Sequence, residues 1–211
     1  MSEKKILNDN VVNFFAKKEE YKSLSNFWIG DVYIFDHDDD RVFSYESGEH
    51  CFHGEKYRRI GLLCENSDRR QQLLEYSSKF MKPSYKSPSD VKKMGGKKGL
   101  LLTNEEIKLW SSISIGVQRE ICDWKFENYE EVRNDLIKSG SKILVHPALR
   151  CSEDKLKDRL WEGKAVVVNG RIEILGPNLL GKLWMELRSV MDRRLRLRDK
   201  WDDFDRRFGY K

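Results

Sequence analysis

A carboxylate and an ammonium group lie seven residues apart in the segment GEHCFHGEKY, residues 48–57. If this segment is a helix, Glu49 and Lys56 share one stripe and are separated by roughly 10 Å along the axis, at ~1.5 Å per residue. That span is about the reach of a ribose 5-phosphate. The spacing therefore suggests that Glu49 faces an anomeric carbon while Lys56 holds a phosphate.

Each of these residues also has an ordinary structural explanation. Glu49 in a first helical turn usually interacts with the helix dipole, and Lys56 would more often be a surface lysine. His50 and His53 stand at i and i+3 and could bind a metal, but no third ligand is evident. Asp158 by itself would be a surface carboxylate. We therefore expect no metal. A functional role for any one of these residues is supported only by its occurrence together with the others.

Composition restricts the class of protein. Charged residues make up 36% of the 211 residues and the formal net charge is +5, which permits an anionic ligand or nucleic acid without demanding either. No run has the length of a membrane span or a signal-peptide core. The four cysteines lack CxxC or disulfide-framework spacing, so we expect free, buried thiols and an intracellular, cytoplasmic location.

Periodicity and turn signals predict an α+β fold that is mostly α, with small β-hairpins. Apolar runs near 27–35 and 41–45 flank the acidic residues 36–40, which indicates a hairpin with an acidic tip. Asn169-Gly170 between apolar runs 165–168 and 171–175 favours a second hairpin with a type I′ turn. Helices are expected over 49–63, 67–80, 87–94, 104–124, 130–139 and 179–191, with a short strand at 142–146.

The same features suggest how the chain is divided. We expect an N-terminal extension over 1–21, one compact domain over 22–191, and a charged C-terminal tail over 192–211. The tail is dense in Arg but also in Asp. The interspersed acids argue against a simple surface that follows nucleic-acid phosphates.

Several short motifs occur in one order along the chain. They are Ser25-Asn26-Phe27, Glu49-His50-Cys51-Phe52 with Lys56, Gly96-Lys97, Trp110, Asp158-Arg159-Leu160-Trp161, and the run GPNLLGKLWMELR that contains Asn178. Together they resemble the NADAR family, the YbiA-like N-glycosidases, over roughly residues 22–190. The resemblance implies one compact domain that cleaves a C–N glycosidic bond of a ribosyl compound.

The resemblance also implies roles for the matched residues. Cleavage builds positive charge on the ribose, and a carboxylate beside the anomeric carbon stabilises that charge. Glu49 takes this catalytic role, with Asp158 as the second carboxylate that polarises water or positions ribose hydroxyls. Substrate contacts are expected from Asn26, Phe27, His50, Lys56, Lys97, Trp110, Trp161 and Asn178. No cofactor is expected.

Two substrate classes follow from the resemblance. One is a phosphoribosylated amino-pyrimidine, an early riboflavin intermediate, and the other is ADP-ribose joined to a nucleobase, including ADP-ribosylated nucleic acid. The sequence departs from the family pattern at Lys97, which replaces an Arg and loses its planar fork, and at Trp161-Glu162-Gly163, where the glycine is shifted by one. A non-catalytic module that binds ADP-ribose or nucleotides is therefore the alternative.

Overall fold

The computed structural model describes residues 2–36, 40–149 and 151–208, with side chains described as far as Arg198. Its elements, in order, are α1 (Glu3–Asn10), β1 (Val11–Asn13), a 3-10 helix (Lys22–Leu24), β2 (Ile29–Asp36), β3 (Arg41–Ser47), α2 (Gly48–Leu63), α3 (Ser67–Ser78), α4 (Pro88–Met94), α5 (Asn104–Asn128), α6 (Glu130–Ser139), β4 (Ile143–Val145), a 3-10 helix (Glu153–Asp158), β5 (Lys164–Val168), β6 (Arg171–Leu175) and α7 (Leu179–Phe208). The prediction of a mostly helical α+β fold is confirmed.

The chain forms two compact units. We call Phe15–Val132 the central unit, for its place in the sequence, and Met1–Phe14 with Arg133–Lys211 the terminal unit. The predicted limits of an N-terminal extension, a domain and a tail do not follow this division, and they stay predictions.

The core of the central unit lies among the β2–β3 hairpin and helices α2, α3 and α5. Strands β2 and β3 are antiparallel, with Phe35 opposite Val42 and Asp36 opposite Arg41. Residues 37–39 of the predicted acidic tip lie outside the described residues. Apolar side chains from every element of this core are fully buried, including Val32, Tyr45, Ile60, Leu73 and Val117.

Helix α2 begins where β3 ends, which determines where its first turn lies. Ser47 is the N-cap, and its hydroxyl oxygen accepts a hydrogen bond from the backbone N–H of His50. This start agrees with the helix predicted over 49–63. Glu49 therefore lies in the first turn of α2, directly after the end of β3.

Helix α5 is the long helix that packs against α2. Thr103 and Glu106 form a reciprocal capping box at its start. The helix continues to Asn128, beyond the predicted end at residue 124. The last turn of α5 forms because Lys125 and Phe126 are buried, and this packing stabilises the helix beyond residue 124.

In the terminal unit, β1 pairs in parallel with β4, so that Val11 lies opposite Ile143. Phe14 follows β1 and is completely buried. Residues 3–14, which fall within the predicted N-terminal extension, thus form a helix and a paired strand of this unit.

The second hairpin of the terminal unit, β5–β6, has the predicted turn. Asn169 and Gly170 both have positive φ, at 51° and 74°, as a type I′ turn requires. Helix α7 runs well past the predicted end at residue 191. Between 192 and 208 the sequence has no Gly or Pro, and it has six Arg residues, two Leu and one Lys, which favour helix.

The cysteines differ from one another in burial. Cys51 and Cys122 are free and buried as expected, and burial raises the pKa of the Cys122 thiol to about 12. The expectation was wrong for Cys64 and Cys151, which are only partly buried. Within the described part of the chain, no helix is long and apolar enough to cross a membrane.

Candidate functional site

The first two turns of α2 place the predicted catalytic carboxylate in a nearly closed environment. Glu49 is only 8% exposed, and its backbone N–H donates to the carbonyl of Asn26 over 2.8 Å. This bond ties the start of α2 to the Ser25-Asn26-Phe27 segment. Two of the sequence motifs therefore meet at Glu49.

A histidine one turn later holds this carboxylate. The Nε2 atom of His53 lies 3.2 Å from Oε1 of Glu49. A carboxylate only accepts hydrogen bonds, so Nε2 is the donor. Sequence reasoning considered His53 only as a metal ligand and missed this role, although the i, i+4 spacing from Glu49 was a visible signal.

Lys56 is buried rather than at the surface. Its ammonium donates to the carbonyl of Gly95, at the C-terminal end of α4, and lies 4.6 Å from the centre of the Tyr57 ring. Burial lowers the pKa of Lys56 to about 8, and the negative charge of Glu49 opposes that shift. The predicted carboxylate and ammonium therefore interact electrostatically within one unit.

Asn26 is fixed by a partner that the sequence did not reveal. Its side-chain amide donates to Oε1 of Gln118 over 2.7 Å and accepts from Nε2 of Gln118 over 3.1 Å. Gln118 is 2% exposed on α5, between the buried Val117 and Ile121. A glutamine on the apolar stripe of a helix was the available signal, because buried amides need partners.

His50 is engaged structurally. Its ring is completely buried, Nδ1 lies 2.8 Å from the Ser47 hydroxyl, and Nε2 lies 3.1 Å from the carbonyl of Lys86. Burial lowers the pKa of His50, so the ring is neutral and both nitrogens are in use. The ring therefore links α2 to the segment before α4, and the expected substrate contact of His50 stays a prediction.

The other predicted substrate-binding residues of the central unit differ in burial and in the side chains next to them. Phe27 is half-buried, and the Nζ atom of Lys92 lies 5.4 Å from its ring centre. Trp110 is half-buried and packs edge-on against Phe52, with 5.0 Å between ring centres. Lys97 is exposed in the turn after α4. Their roles stay proposals.

The remaining predicted site residues belong to the terminal unit. Asn178 is 1% exposed, accepts from the backbone N–H of His146 over 3.0 Å and donates to the carbonyl of Leu144 over 2.9 Å. Its amide thus joins the start of α7 to Leu144 of β4 and to His146, and its expected substrate contact stays a prediction. Asp158 is exposed at the end of a 3-10 helix, and Trp161 is half-buried.

Comparison with known proteins agrees with the motif order. Residues 13–192 match the NADAR domain. The chain belongs to the NADAR family. Its fold is similar to that of the E. coli protein YbiA, solved by NMR, with a TM-score of 0.52 and 23% identity over 88% of this chain and 87% of that one. No curated protein matches the sequence.

A groove of about 910 Å³ in the central unit of this NADAR protein lies away from the predicted site residues. It is lined by β2, the second half of α2 and the second half of α5, at residues Tyr33, Ile34, Phe35, Asp36, Arg58, Arg59, Leu62, Glu120, Asp123, Trp124, Glu127 and Asn128. We therefore assign the candidate site by its side-chain chemistry and not by the size of this groove. Among the described residues, no three His, Cys, Asp or Glu side chains converge as metal ligands.

Gly95 is required for this arrangement because a Cβ built on it would overlap the imidazole ring of His53. We expect Gly95→Ala to displace that ring, break its bond to Glu49 and lower stability by about 1–3 kcal/mol, as overpacking does. The free energy of unfolding, measured in urea, is the check.

Gly116→Ala is the matched control, because a Cβ built there in α5 has no described atom within 4 Å apart from its chain neighbours and the adjacent helix backbone. This control is expected to raise the free energy of unfolding by about 0.5–1 kcal/mol, since alanine favours helix. Equal effects of the two alanines would contradict the assigned packing of His53 on Gly95.

Proposed function

We propose that this NADAR protein is an N-glycosidase that hydrolyses the C–N glycosidic bond of a phosphorylated ribosyl compound. The observation that supports this most directly is the buried Glu49 carboxylate, held by His53 and electrostatically coupled to the ammonium of Lys56. Family membership is consistent with a hydrolase.

The chemistry requires a fixed negative charge beside the sugar. When the C–N bond breaks, its electron pair leaves with the base nitrogen and C1′ becomes cationic. Oε1 of Glu49 is held by His53, while Oε2 has no hydrogen bond to any described residue and can face that cation. Water then adds to C1′ and loses a proton, and the departing base takes up that proton, so the products are the free ribose derivative and the free base.

Phosphate binding is assigned to Lys56, because one of its three N–H groups is donated to Gly95 and the others remain for an anion. Lys97 adds a second positive charge in this proposal. Trp110 stacks on the base in this proposal. The catalytic role of Asp158 and the stacking role of Trp161 stay predictions. Asn26 and Phe27 contact the ribose or the base edge.

A substrate panel tests the function. Riboflavin-pathway ribosylamino-pyrimidines, guanine-linked ADP-ribose on DNA, and NAD are incubated with the protein, and free base is measured by chromatography. Release of base from at least one compound is expected. Saturable binding without any release would instead favour the non-catalytic nucleotide-binding module, which the departures at Lys97 and Glu162 suggest.

The lowered pKa of Lys56, about 8, gives the phosphate site a distinct pH dependence. Above that pH the amine becomes neutral in the free enzyme, so kcat/KM for a phosphorylated substrate is expected to fall by up to about tenfold per pH unit. A dephosphorylated analogue should show no such fall. Lys56→Met should remove the dependence, whereas Lys108→Met, at an exposed position of α5, should retain it.

A flat kcat/KM between pH 7 and pH 9.5 for the phosphorylated substrate would contradict the assignment of Lys56. A phosphate monoester has a second pKa of about 6, so between pH 7 and pH 9.5 its negative charge only increases. The substrate therefore does not contribute to the expected fall.

A further inference from the structure

We propose that His53 is a positioning residue: its neutral imidazole donates from Nε2 to Glu49 and so holds that carboxylate oriented toward the sugar. The inference rests on the proposed function and deepens it. It concerns a residue that the motif resemblance does not assign.

The geometry of α2 produces this pair. Residues at i and i+4 lie on the same helical face, and the two side chains meet with 3.2 Å between Nε2 and Oε1. Both are largely enclosed, with the side chain of His53 12% exposed and that of Glu49 11% exposed. Enclosure makes the hydrogen bond stronger than it would be in water.

The other ring nitrogen determines the charge state of the histidine. Nδ1 of His53 is buried, and no described residue offers it a hydrogen bond. The ring lies against Gly95 and next to the rings of Phe52 and Phe80. An imidazolium would have a second N–H, at Nδ1, with no acceptor, so the neutral tautomer protonated at Nε2 is favoured.

The charged groups around the ring shift the pKa of His53 in both directions. Burial is the largest influence and lowers the pKa of His53. The hydrogen bond and charge of Glu49 on α2 oppose that shift. The positive charges of Lys56 on α2 and Lys92 on α4 add to it. The ring is therefore uncharged near neutral pH. Glu49 keeps its full negative charge, which a neighbouring imidazolium would partly neutralise.

Two amide substitutions test the roles of the two ring nitrogens of His53 separately. Glutamine at position 53 can place an N–H close to the position of Nε2, whereas asparagine places its amide near Nδ1 and does not reach Glu49. We expect His53→Gln to keep base release within about threefold of wild type, and His53→Asn to lower kcat by about 10–100-fold, as loss of other supporting partners does. The KM for the phosphorylated substrate should be similar in both.

The pH profile provides a readout that a purely structural role would not change. In the wild type, kcat/KM should fall on the acid side as His53 becomes protonated, at a pH below the ordinary histidine value of 6.5. His53→Gln should lack this fall, because a glutamine amide does not titrate. An unchanged acid limb in His53→Gln, or equal losses in the two variants, would overturn the proposal.

A substrate-free measurement separates this inference from the proposed function. Ring ¹⁵N chemical shifts are expected to show His53 neutral and protonated at Nε2 at pH 7. An imidazolium, or a proton on Nδ1, would overturn the positioning role even in an active enzyme. Absence of base release by the wild type would instead overturn the proposed function, whatever state the ring is in.

Discussion

Glu49→Gln is expected to lower the rate of base release by about 10²–10⁴-fold, the range seen when a catalytic carboxylate or a charge-stabilising group is removed. The neutral amide cannot stabilise the cationic sugar. Its carbonyl oxygen can still accept the hydrogen bond from His53, so the local structure is retained. The loss should therefore appear in kcat, with little change in KM or in thermal stability.

The measurement is single-turnover base release with the best substrate of the panel, accompanied by a thermal unfolding curve. Glu105→Gln is the matched control, because Glu105 is also in the first turn of a helix but is exposed. It should have wild-type activity. Undiminished turnover in Glu49→Gln would remove Glu49 from the mechanism and leave the nucleotide-binding module as the better explanation.

Glu55→Gln is expected to cause a large loss of stability, in contrast to Glu49→Gln, because Glu55 is the centre of a buried ion-pair network. Its carboxylate is completely buried and accepts hydrogen bonds from Tyr45, Arg58 and Arg59. Removing one partner of a buried ion pair typically costs about 3–5 kcal/mol, since the other charges remain buried. Chemical denaturation followed by tryptophan fluorescence measures this loss.

The network also gives stability a defined pH dependence. Burial alone would raise the pKa of Glu55. The hydrogen bonds from Arg58, Arg59 and Tyr45, together with the charge of Arg58, outweigh burial and lower the pKa below 4.5. Above 4.5 the stabilisation is fully present. Below it the unfolded chain binds a proton that the native Glu55 does not, so stability falls as the pH decreases through the lowered pKa.

A surface ion pair provides the control for the network. Lys164 and Glu153 form a pair in which both side chains are more than half exposed. Glu153→Gln should leave the denaturation midpoint unchanged, because exposed pairs contribute little. A similarly small effect of Glu55→Gln would show that the buried network does not stabilise the central unit.

Sequence reasoning succeeded where structure depends on neighbours along the chain. The start of α2 follows from the Ser47 cap, and the turn of the second hairpin follows from Asn169-Gly170. The shared face of Glu49 and Lys56 is a direct consequence of helical periodicity. The ordered motifs also indicated the NADAR family, which the match over residues 13–192 confirms.

Sequence reasoning failed where a contact joins distant segments. The parallel pairing of β1 with β4 requires a crossover that no local pattern predicts. The extension of α5 past residue 124 depends on burial of Lys125 and Phe126 by other elements. His50 and Asn178 also form hydrogen bonds to distant backbone groups that the motifs did not reveal, and their expected substrate contacts stay predictions.

The sequence by itself determined that a carboxylate and an ammonium share one face of α2, because helix geometry is local. Only the tertiary structure decided the environment of that face. The end of α4 brings Gly95 against His53 and its carbonyl to Lys56, and the burial that results keeps the ring neutral and lowers the pKa of the lysine. Charge states depend on desolvation by distant parts of the chain, which residue spacing does not encode.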